Sequence, residues 1–312
     1  MTRCPFCGSS DIVLVTDRVR FDRVARVLRC NSCTLVFLDQ DSFQFPKDFY
    51  QHEYHQTYLT HVDPDMLNPA RHYEKMSVAS RPWVERVRGL LSGKETVLDV
   101  GCSTGHVLTG IRDRAAQVYG RELSRGEIAY CRNTHDLDVS DAPLHERFDR
   151  GTFDYILLVF VLEHIGEPVQ FLQDLKQFLK PEGKFLIVVP NVLDPLVQFY
   201  RIPAFAQFYF CIEHLFYYSP RTMGDLIAKA GLSGPIETLQ EYPIANHLNW
   251  GYRQKPSDTL ASRRRVPDID LADDAALPRW ERFWEQVNQA YGVFLANEGL
   301  GDRIWCQAGI AE

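Results

Sequence analysis

Four of the eight cysteines in this 312-residue chain, Cys4, Cys7, Cys30 and Cys33, form two CxxC pairs with 22 residues between them. A two-residue gap lets both sulfurs of a pair reach one cation at about 2.3 Å, and two such pairs complete a tetrahedron. Gly8, directly after the first pair, suits the tight turn this requires. Between the pairs, Ile12 and Leu14, then Val24, Val27 and Leu28, alternate as two short strands would, the pattern of a small zinc ribbon over residues 1–38. With sulfur at all four ligand places no position is left for water, so the expected zinc is structural, not catalytic. So small a unit buries little apolar surface, and metal binding would supply much of its folding free energy. Redox cysteines and a rubredoxin-like iron centre are the alternatives sharing this spacing.

A second concentration of chemistry lies in Val97-Leu-Asp-Val-Gly-Cys-Ser-Thr-Gly105, a hydrophobic strand running into a glycine turn and then a helix. Gly101 and Gly105 permit close backbone approach, and the helix start offers unpaired N–H groups to an anion. Ligands of open α/β sheets bind at the carboxyl ends of the strands, where strand order reverses. Asp99, Glu122 and the loop after the third strand would surround that point. Glu122 stands 17 residues after Gly105, and a carboxylate there can accept both hydroxyls of a ribose. A dinucleotide fingerprint needs Gly-x-Gly-x-x-Gly, but Ser103 and His106 occupy its second and third glycine places, which argues against NAD. Gly101-Cys-Ser-Thr-Gly105 also satisfies the Gly-x-Ser-x-Gly nucleophile elbow of hydrolases. Residues 39–95 provide neither the earlier strands nor the oxyanion loop an elbow needs, and a hydrolase has no use for Asp99 and Glu122.

The elements that must position these groups alternate through residues 76–235. Strands are expected at Thr96 to Val100, Gln117 to Gly120, weakly at Leu137 to Val139, then Phe153 to Leu162 and Lys184 to Val189. Helices are expected from Thr104 to about Arg114, from Ser124 as N-cap, and from Pro168 to Leu179, the last closed by Lys180-Pro-Glu-Gly183. Strands joined by helices imply a parallel sheet with right-handed crossovers. Residues 39–75 are an aromatic connector or lid (Phe43, Phe45, Phe49, Tyr50, Tyr54, Tyr58, Tyr73), residues 76–312 form the α/β domain, and Lys255 to Pro278 reads as a mobile loop.

Composition is that of an ordinary globular protein, 45% hydrophobic and 24% charged. Tyr155 to Leu162 is the longest apolar run and is strand-length, far short of a bilayer span. Met1-Thr-Arg-Cys-Pro shows no apolar signal core, so a cytoplasmic location is expected. The net charge of −7 argues against a nucleic-acid partner, and the one basic cluster, Arg18, Arg20, Arg23, Arg26 and Arg29, is diluted by Asp17 and Asp22.

In order along the chain, VLDVGCSTG (Val97–Gly105), Tyr119-Gly-Arg-Glu122, Phe153-Asp-Tyr-Ile156, Val161-Leu-Glu-His-Ile165, Leu179-Lys-Pro-Glu-Gly183 and Glu213-His-Leu-Phe-Tyr-Tyr-Ser219 are similar to the class I S-adenosylmethionine (SAM)-dependent methyltransferases. The resemblance covers residues 72–235 and implies a Rossmann-like, seven-stranded α/β sheet with a final antiparallel strand at Arg303 to Ile310. It also implies that Gly101, Cys102, Ser103 and Gly105 face the methionine part of SAM, Glu122 the ribose, and the loop at Asp141 and Ala142 the adenine. Asp99, Leu123 and Phe160 join this expected cofactor set.

The ribbon, the tyrosine-rich connector and the SAM domain together resemble the sugar C-methyltransferases, through Cys4–Gly8, Arg29-Cys-Asn-Ser-Cys-Thr-Leu-Val-Phe37 and the Glu213-His214 pair. That likeness implies a small-molecule acceptor of sugar type, with His214 as the base and Glu213 orienting it or binding substrate. Two departures stand out: Cys211 replaces a tyrosine three residues before His214, with Tyr209 nearby, and the family's large C-terminal second domain has no counterpart here. O- or N-methylation therefore stays open beside C-methylation. His164, with Glu163, ends the fourth strand on the rim of the site, as a structural, catalytic or metal-binding group. An RNA methyltransferase using the ribbon for RNA contact is the alternative, although Phe160-Val-Leu-Glu163 stands where such enzymes carry an Asn/Asp-Pro-Pro-Tyr motif. A non-catalytic scaffold is a third possibility, opposed by the intact Asp99, Gly101, Gly105 and Glu122. The sequence leaves the oligomeric state open.

Overall fold

A computed structural model describes residues 2–42, 63–255 and 277–311. The expected lid aromatics Phe43 to Tyr58, and the proposed mobile loop apart from its ends, lie outside the described residues. Three N-terminal strands, β1 (Ile12–Val19), β2 (Arg23–Cys30) and β3 (Val36–Leu38), precede the α/β region. That region contributes β4 (Thr96–Val100), β5 (Gln117–Arg121), β6 (Asp138–Ser140), β7 (Phe153–Val159), β8 (Leu179–Pro190), β9 (Phe216–Tyr217), β10 (Leu232–Ser233), β11 (Ile236–Leu239) and β12 (Arg303–Ile310). The helices used below are α1 (Pro69–Ala79), α2 (Arg81–Arg88), α3 (His106–Ile111), α4 (Arg125–His135) and α5 (Pro168–Lys176).

The large sheet runs β10-β12-β8-β7-β4-β5-β6, and β11 pairs with β12 beside β10, so eight strands fill seven places. β4, β5, β6, β7 and β8 are parallel, while β12 is antiparallel to β8 along seven residue pairs, Arg303↔Pro190 to Gly309↔Lys184. The expected sheet and last strand are thus both present. From β4 the chain proceeds to β5 and β6 on one side and later to β7 and β8 on the other. The reversal between β4 and β7 opens a crevice at their carboxyl ends.

The central strands are largely apolar on both faces, Asp99 in β4 and Asp154 in β7 being the acidic exceptions, because helices cover both sides of the sheet. Val97, Leu157, Leu186 and Val188 pack on one side with Trp83, Val87 and Trp305. Their neighbours Leu98, Ile156, Leu158, Phe185 and Ile187 join the larger core on the other side. Trp83 and Trp305 stack with centroids 6.4 Å apart and planes 10° from parallel, fixing α2 against β12.

Three local expectations are corrected. α3 is shorter than Thr104 to Arg114, because the glycine turn continues through Gly105, the left-handed N-cap. β7 stops at Val159, not Leu162; Phe160 takes φ +57° and a short 3-10 turn spans Leu162–His164. α5 ends at Lys176, and Lys180 to Gly183 belong to β8, where the pairing Phe153↔Leu179 gives way to Tyr155↔Lys184 through an irregularity. That glycine is needed for close approach: a Cβ on Gly183 would lie 2.8 Å from the Phe153 carbonyl oxygen.

The N-terminal strands form an antiparallel sheet, β1-β2-β3-β9, whose fourth member comes from the α/β region. Leu35, Val36, Phe37 and Leu38 share one core with Phe216, Tyr217 and Tyr218. The cysteine unit is therefore built onto the larger fold.

Trp83→Ala should destabilise the protein by about 3–5 kcal/mol, the usual cost of emptying a buried tryptophan site. Urea unfolding followed by circular dichroism measures it, and a loss below 1 kcal/mol would show that the Trp83–Trp305 stack does not hold α2.

Candidate active site

The turn after β4 is shaped by three left-handed residues, Gly101 (φ +75°), Ser103 (φ +50°) and Gly105 (φ +76°). A Cβ on Gly101 would sit 2.7 Å from Cγ2 of Val161, and one on Gly105 would sit 2.6 Å from Cδ1 of Leu137. Glycine is required at both for conformation and for space. The Gly101 N–H donates to the Arg121 carbonyl (2.7 Å), tying the turn to the end of β5.

Glu122 follows β5 immediately. Its Oε2 accepts from the Ser103 N–H (2.9 Å), and its Oε1 accepts from the N–H groups of Leu123 (2.6 Å) and Ser124 (2.9 Å). Ser124 is the N-cap residue of α4 as expected, but its hydroxyl caps nothing; its N–H is held by Glu122 instead. Beneath the turn lies a carboxylate the sequence reading did not single out. Glu127 Oε1 accepts from the Ser103 hydroxyl (3.0 Å) and pairs with Nδ1 of His72 on α1 (2.9 Å). Its one signal was an acidic residue in the opening turn of α4.

Asp99, Glu122 and Glu127 gather three carboxyl groups at the ends of β4 and β5. Burial, and then the charge of Glu122, push Asp99 up to about 8. Burial and the neighbouring Glu127 raise Glu122 above the usual carboxylate range, against the three N–H donors that favour its charged form. A cradle so rich in carboxyl oxygen suits hydroxyl donors and positive charge.

The other expected cofactor residues divide. Cys102 turns its sulfur into the core, where a Cβ on Gly120 would lie 2.6 Å from it, so its main chain alone lines the turn. Leu123 and Asp141 are exposed on the rim, and the Ala142 N–H donates to the Ser140 hydroxyl (3.1 Å). Phe160 packs its ring edge-on to Trp83 at 6.1 Å, with the Arg303 guanidinium 5.2 Å over its face.

Across the reversal point, the turn after β7 meets the segment before β9. The Leu215 N–H donates to the Glu163 carbonyl (2.8 Å), and His164 Nδ1 lies 2.8 Å from the Glu213 carbonyl oxygen. The His164 and His214 rings stand edge-to-face with centroids 4.8 Å apart. Burial lowers His164 to about 4, opposed by its bond to the Glu213 carbonyl. Burial, then His164, Arg20 and Arg303, hold His214 well below the ordinary imidazole value. Both rings are neutral near pH 7. Burial pushes Glu163 up to about 8, opposed by its own N–H and by Arg303. Cys211, in the place of the expected tyrosine, is buried, and its backbone N–H and C=O are both bound by the Tyr217 hydroxyl (2.9 and 2.8 Å). The expected pair Glu213 and His214 is thus brought beside Glu163 and His164, with Glu213 joined to His164 through its main-chain carbonyl.

The four N-terminal sulfurs of Cys4, Cys7, Cys30 and Cys33 lie within 4.8 Å of one another, Cys4–Cys33 and Cys7–Cys30 each at 3.5 Å. A tetrahedral zinc with 2.3 Å bonds needs sulfurs about 3.8 Å apart, so this donor set fits the ion. The turns that aim them close through the Gly8 N–H to the Cys4 carbonyl (2.8 Å) and the Thr34 N–H to the Cys30 carbonyl (2.9 Å).

Among the described residues no helix is long and apolar enough to cross a membrane. Residues 71–234, just over half the chain, match the family described as methyltransferase domain, and the chain belongs to that family. The ubiquinone biosynthesis O-methyltransferase of Acinetobacter baumannii is 27% identical over 109 residues, 32% of this chain and 46% of the relative. The protein of the same name from Bradyrhizobium diazoefficiens is 30% identical over 131 residues, 40% of this chain and 52% of the relative. The chain spans about half the length of these curated relatives. A SAM-dependent methyltransferase structure from Archaeoglobus fulgidus aligns at 15% identity and TM-score 0.47, covering 76% of this chain and 93% of that one.

The raised pKa of Asp99 has a signed consequence. An acid whose pKa rises on folding binds its proton more tightly in the folded state, so its contribution to stability falls between about pH 4 and pH 8. Asp99→Asn removes that term. Between pH 5 and pH 8 the variant should lose less stability than the parent, by about 1 kcal/mol or more. Urea midpoints at the two pH values test this, and equal slopes would show that Asp99 ionises normally in the fold.

Proposed function

We propose that the protein transfers the methyl group of SAM to a small hydroxylated acceptor of sugar or sugar-derived type, at the reversal between β4 and β7. The observation that carries this reading is the junction of two differently built halves. A carboxylate-rich glycine turn follows β4, a carboxyl and imidazole cluster follows β7, and they abut where Gly101 meets Val161. The two halves suit the two partners of a transfer.

The cofactor fits the first half on two grounds: the Cβ-free turn leaves room for close approach, and the carboxyl groups complement a cation and a diol. SAM, when bound, supplies an electrophilic methyl on a sulfonium. Glu122 would hold both ribose hydroxyls, the backbone of Gly101 to Gly105 would lie against the amino-acid tail, and the loop at Asp141 would border the adenine. On the acceptor side, neutral His214 would take the proton of the acceptor O–H, held in place through His164 and the Glu213 main chain. With that proton removed, the acceptor oxygen's lone pair would be free to take the methyl group, the C–S bond electrons remaining on sulfur. Oxygen as the atom methylated accords with the O-methyltransferase relatives, and the sugar-type acceptor with the cysteine unit beside Glu213-His214. Zinc at Cys4, Cys7, Cys30 and Cys33 would be structural, holding the sheet that includes β9.

Isothermal titration calorimetry should show SAM binding to the purified protein, and Glu122→Ala should weaken it about 10- to 100-fold, the loss expected for hydrogen bonds to a charged group. No binding by the parent at millimolar SAM would overturn the reading. Metal analysis of the same preparations should find one zinc per chain in parent and variant alike; chains folded without zinc would remove the ribbon's structural role.

A further inference from the structure

Glu163 is 1% exposed, yet among the described residues neither of its carboxyl oxygens has a hydrogen-bond partner from another residue. A buried carboxyl left this way costs free energy unless something compensates it. One ligand atom each from Glu163, His164 and His214 lies within 4.8 Å of the others. Ligand atoms around an ion bound at about 2.1 Å stand about 3–4 Å apart, so closure needs side-chain shifts of about an ångström or less.

We propose that Glu163, His164 and His214 form a second metal site, chemically distinct from the cysteine cluster, that binds a divalent first-row transition ion and presents it to the acceptor's oxygen. Two imidazoles and one carboxylate suit manganese, iron, cobalt or zinc, whereas four thiolates select zinc. Donation from His164 Nδ1 to the Glu213 carbonyl places the ring's lone pair on Nε2 and fixes the ring's orientation, the usual second-sphere support of a metal-bound histidine. The Leu215 N–H bond to the Glu163 carbonyl holds the two ligand-bearing segments together without any ion, so the site is preorganised. Three protein ligands leave positions open, which separates this site from the closed cysteine one.

The substrate part of the proposal rests on the methyl-transfer reading above; the metal part does not. An acceptor hydroxyl on the ion loses its proton to solvent more readily because the cation stabilises the oxyanion. That oxygen's lone pair then forms the bond to the methyl carbon while the sulfonium C–S pair returns to sulfur. With the ion bound, His214 is a ligand and solvent takes the proton that His214 would take in its absence. A vicinal diol or hydroxyketone could supply two oxygens to the open positions, which makes such acceptors the favoured class.

The test uses full-length protein with its cysteine site loaded with zinc, titrated with Mn2+ and read by electron paramagnetic resonance of the free ion. One Mn2+ should bind per chain, and Glu163→Gln and His214→Ala should each weaken it about tenfold or more. Calorimetry with SAM on the same variants reports whether they are folded. Should His214→Ala misfold, Glu163→Gln, nearly identical in shape, carries the test alone. No Mn2+ or Co2+ uptake at millimolar concentration, or undiminished uptake by folded Glu163→Gln, overturns the proposal. SAM binding without Mn2+ binding would sink this site and leave the methyl-transfer reading standing, and the reverse outcome would sink only that reading.

Discussion

Leu215 is the residue through which the two sheets hold each other. Its N–H donates to the Glu163 carbonyl at the end of β7, and its own carbonyl accepts from the Leu38 N–H at the end of β3. Just beyond it, β9 completes the N-terminal sheet, Val36 facing Tyr217 and Phe37 facing Phe216. Then Tyr218 turns to the large sheet, its carbonyl accepting from the Val192 N–H. One short segment, carrying Glu213 and His214 at its start, is thereby fixed in register from both sides. The first 38 residues could not bury a core of their own, and the segment after Phe210 would lack a neighbour without them. Each supplies the apolar surface the other needs.

Electrostatics divides the crevice in a way that follows from this geometry. At the ends of β4 and β5 the groups are carboxyl, with Glu122 raising Asp99 and Glu127 raising Glu122, and Glu122 is held by three backbone N–H donors. At the end of β7 the groups are imidazoles stripped of charge by burial, beside a carboxyl that burial raises. A positively charged ligand is favoured in the first region and repelled by little in the second. The two regions touch through Val161 and Gly101, so a side chain at position 101 would disturb both.

Much of this was legible in the sequence because it depends on local constraints. The glycine turn, the acid ending β5 and the paired CxxC spacing each need particular residue types at particular separations, and the structure assembles them as those separations require. The strand Arg303–Ile310 was readable from the order of motifs. What escaped was set by contacts distant in sequence. Nothing in Phe216-Tyr217 marks a strand whose partner lies 180 residues earlier, because two residues carry no periodicity. The His72–Glu127 pair joins helices that lie far apart along the chain. Apolar residues from Phe153 to Leu162 read as one strand, but Phe160 takes a left-handed conformation while its N–H still reaches the Val188 carbonyl. Hydrophobicity cannot report a break that keeps its hydrogen bond.

The same break shapes the end of β7 that the proposed transfer would use as its acceptor side. By turning the chain at Phe160, the fold brings Glu163 and His164 under the segment from Phe210 to Tyr218. Burial there moves their proton affinities in opposite directions, against smaller opposing contributions from backbone hydrogen bonds and Arg303. That opposition is the signature of a low local dielectric, in which charged forms of either sign are disfavoured. Transfer of a methyl group from a sulfonium to an ionised oxygen destroys one positive and one negative charge as the bond forms. Water stabilises the separated charges more than the dispersed ones, so excluding it lowers the barrier while raising the cost of ionising the acceptor. In the proposed transfer a group beside the acceptor would have to offset that cost, and Glu163, His164 and His214 are the groups the chain gathers at the end of β7.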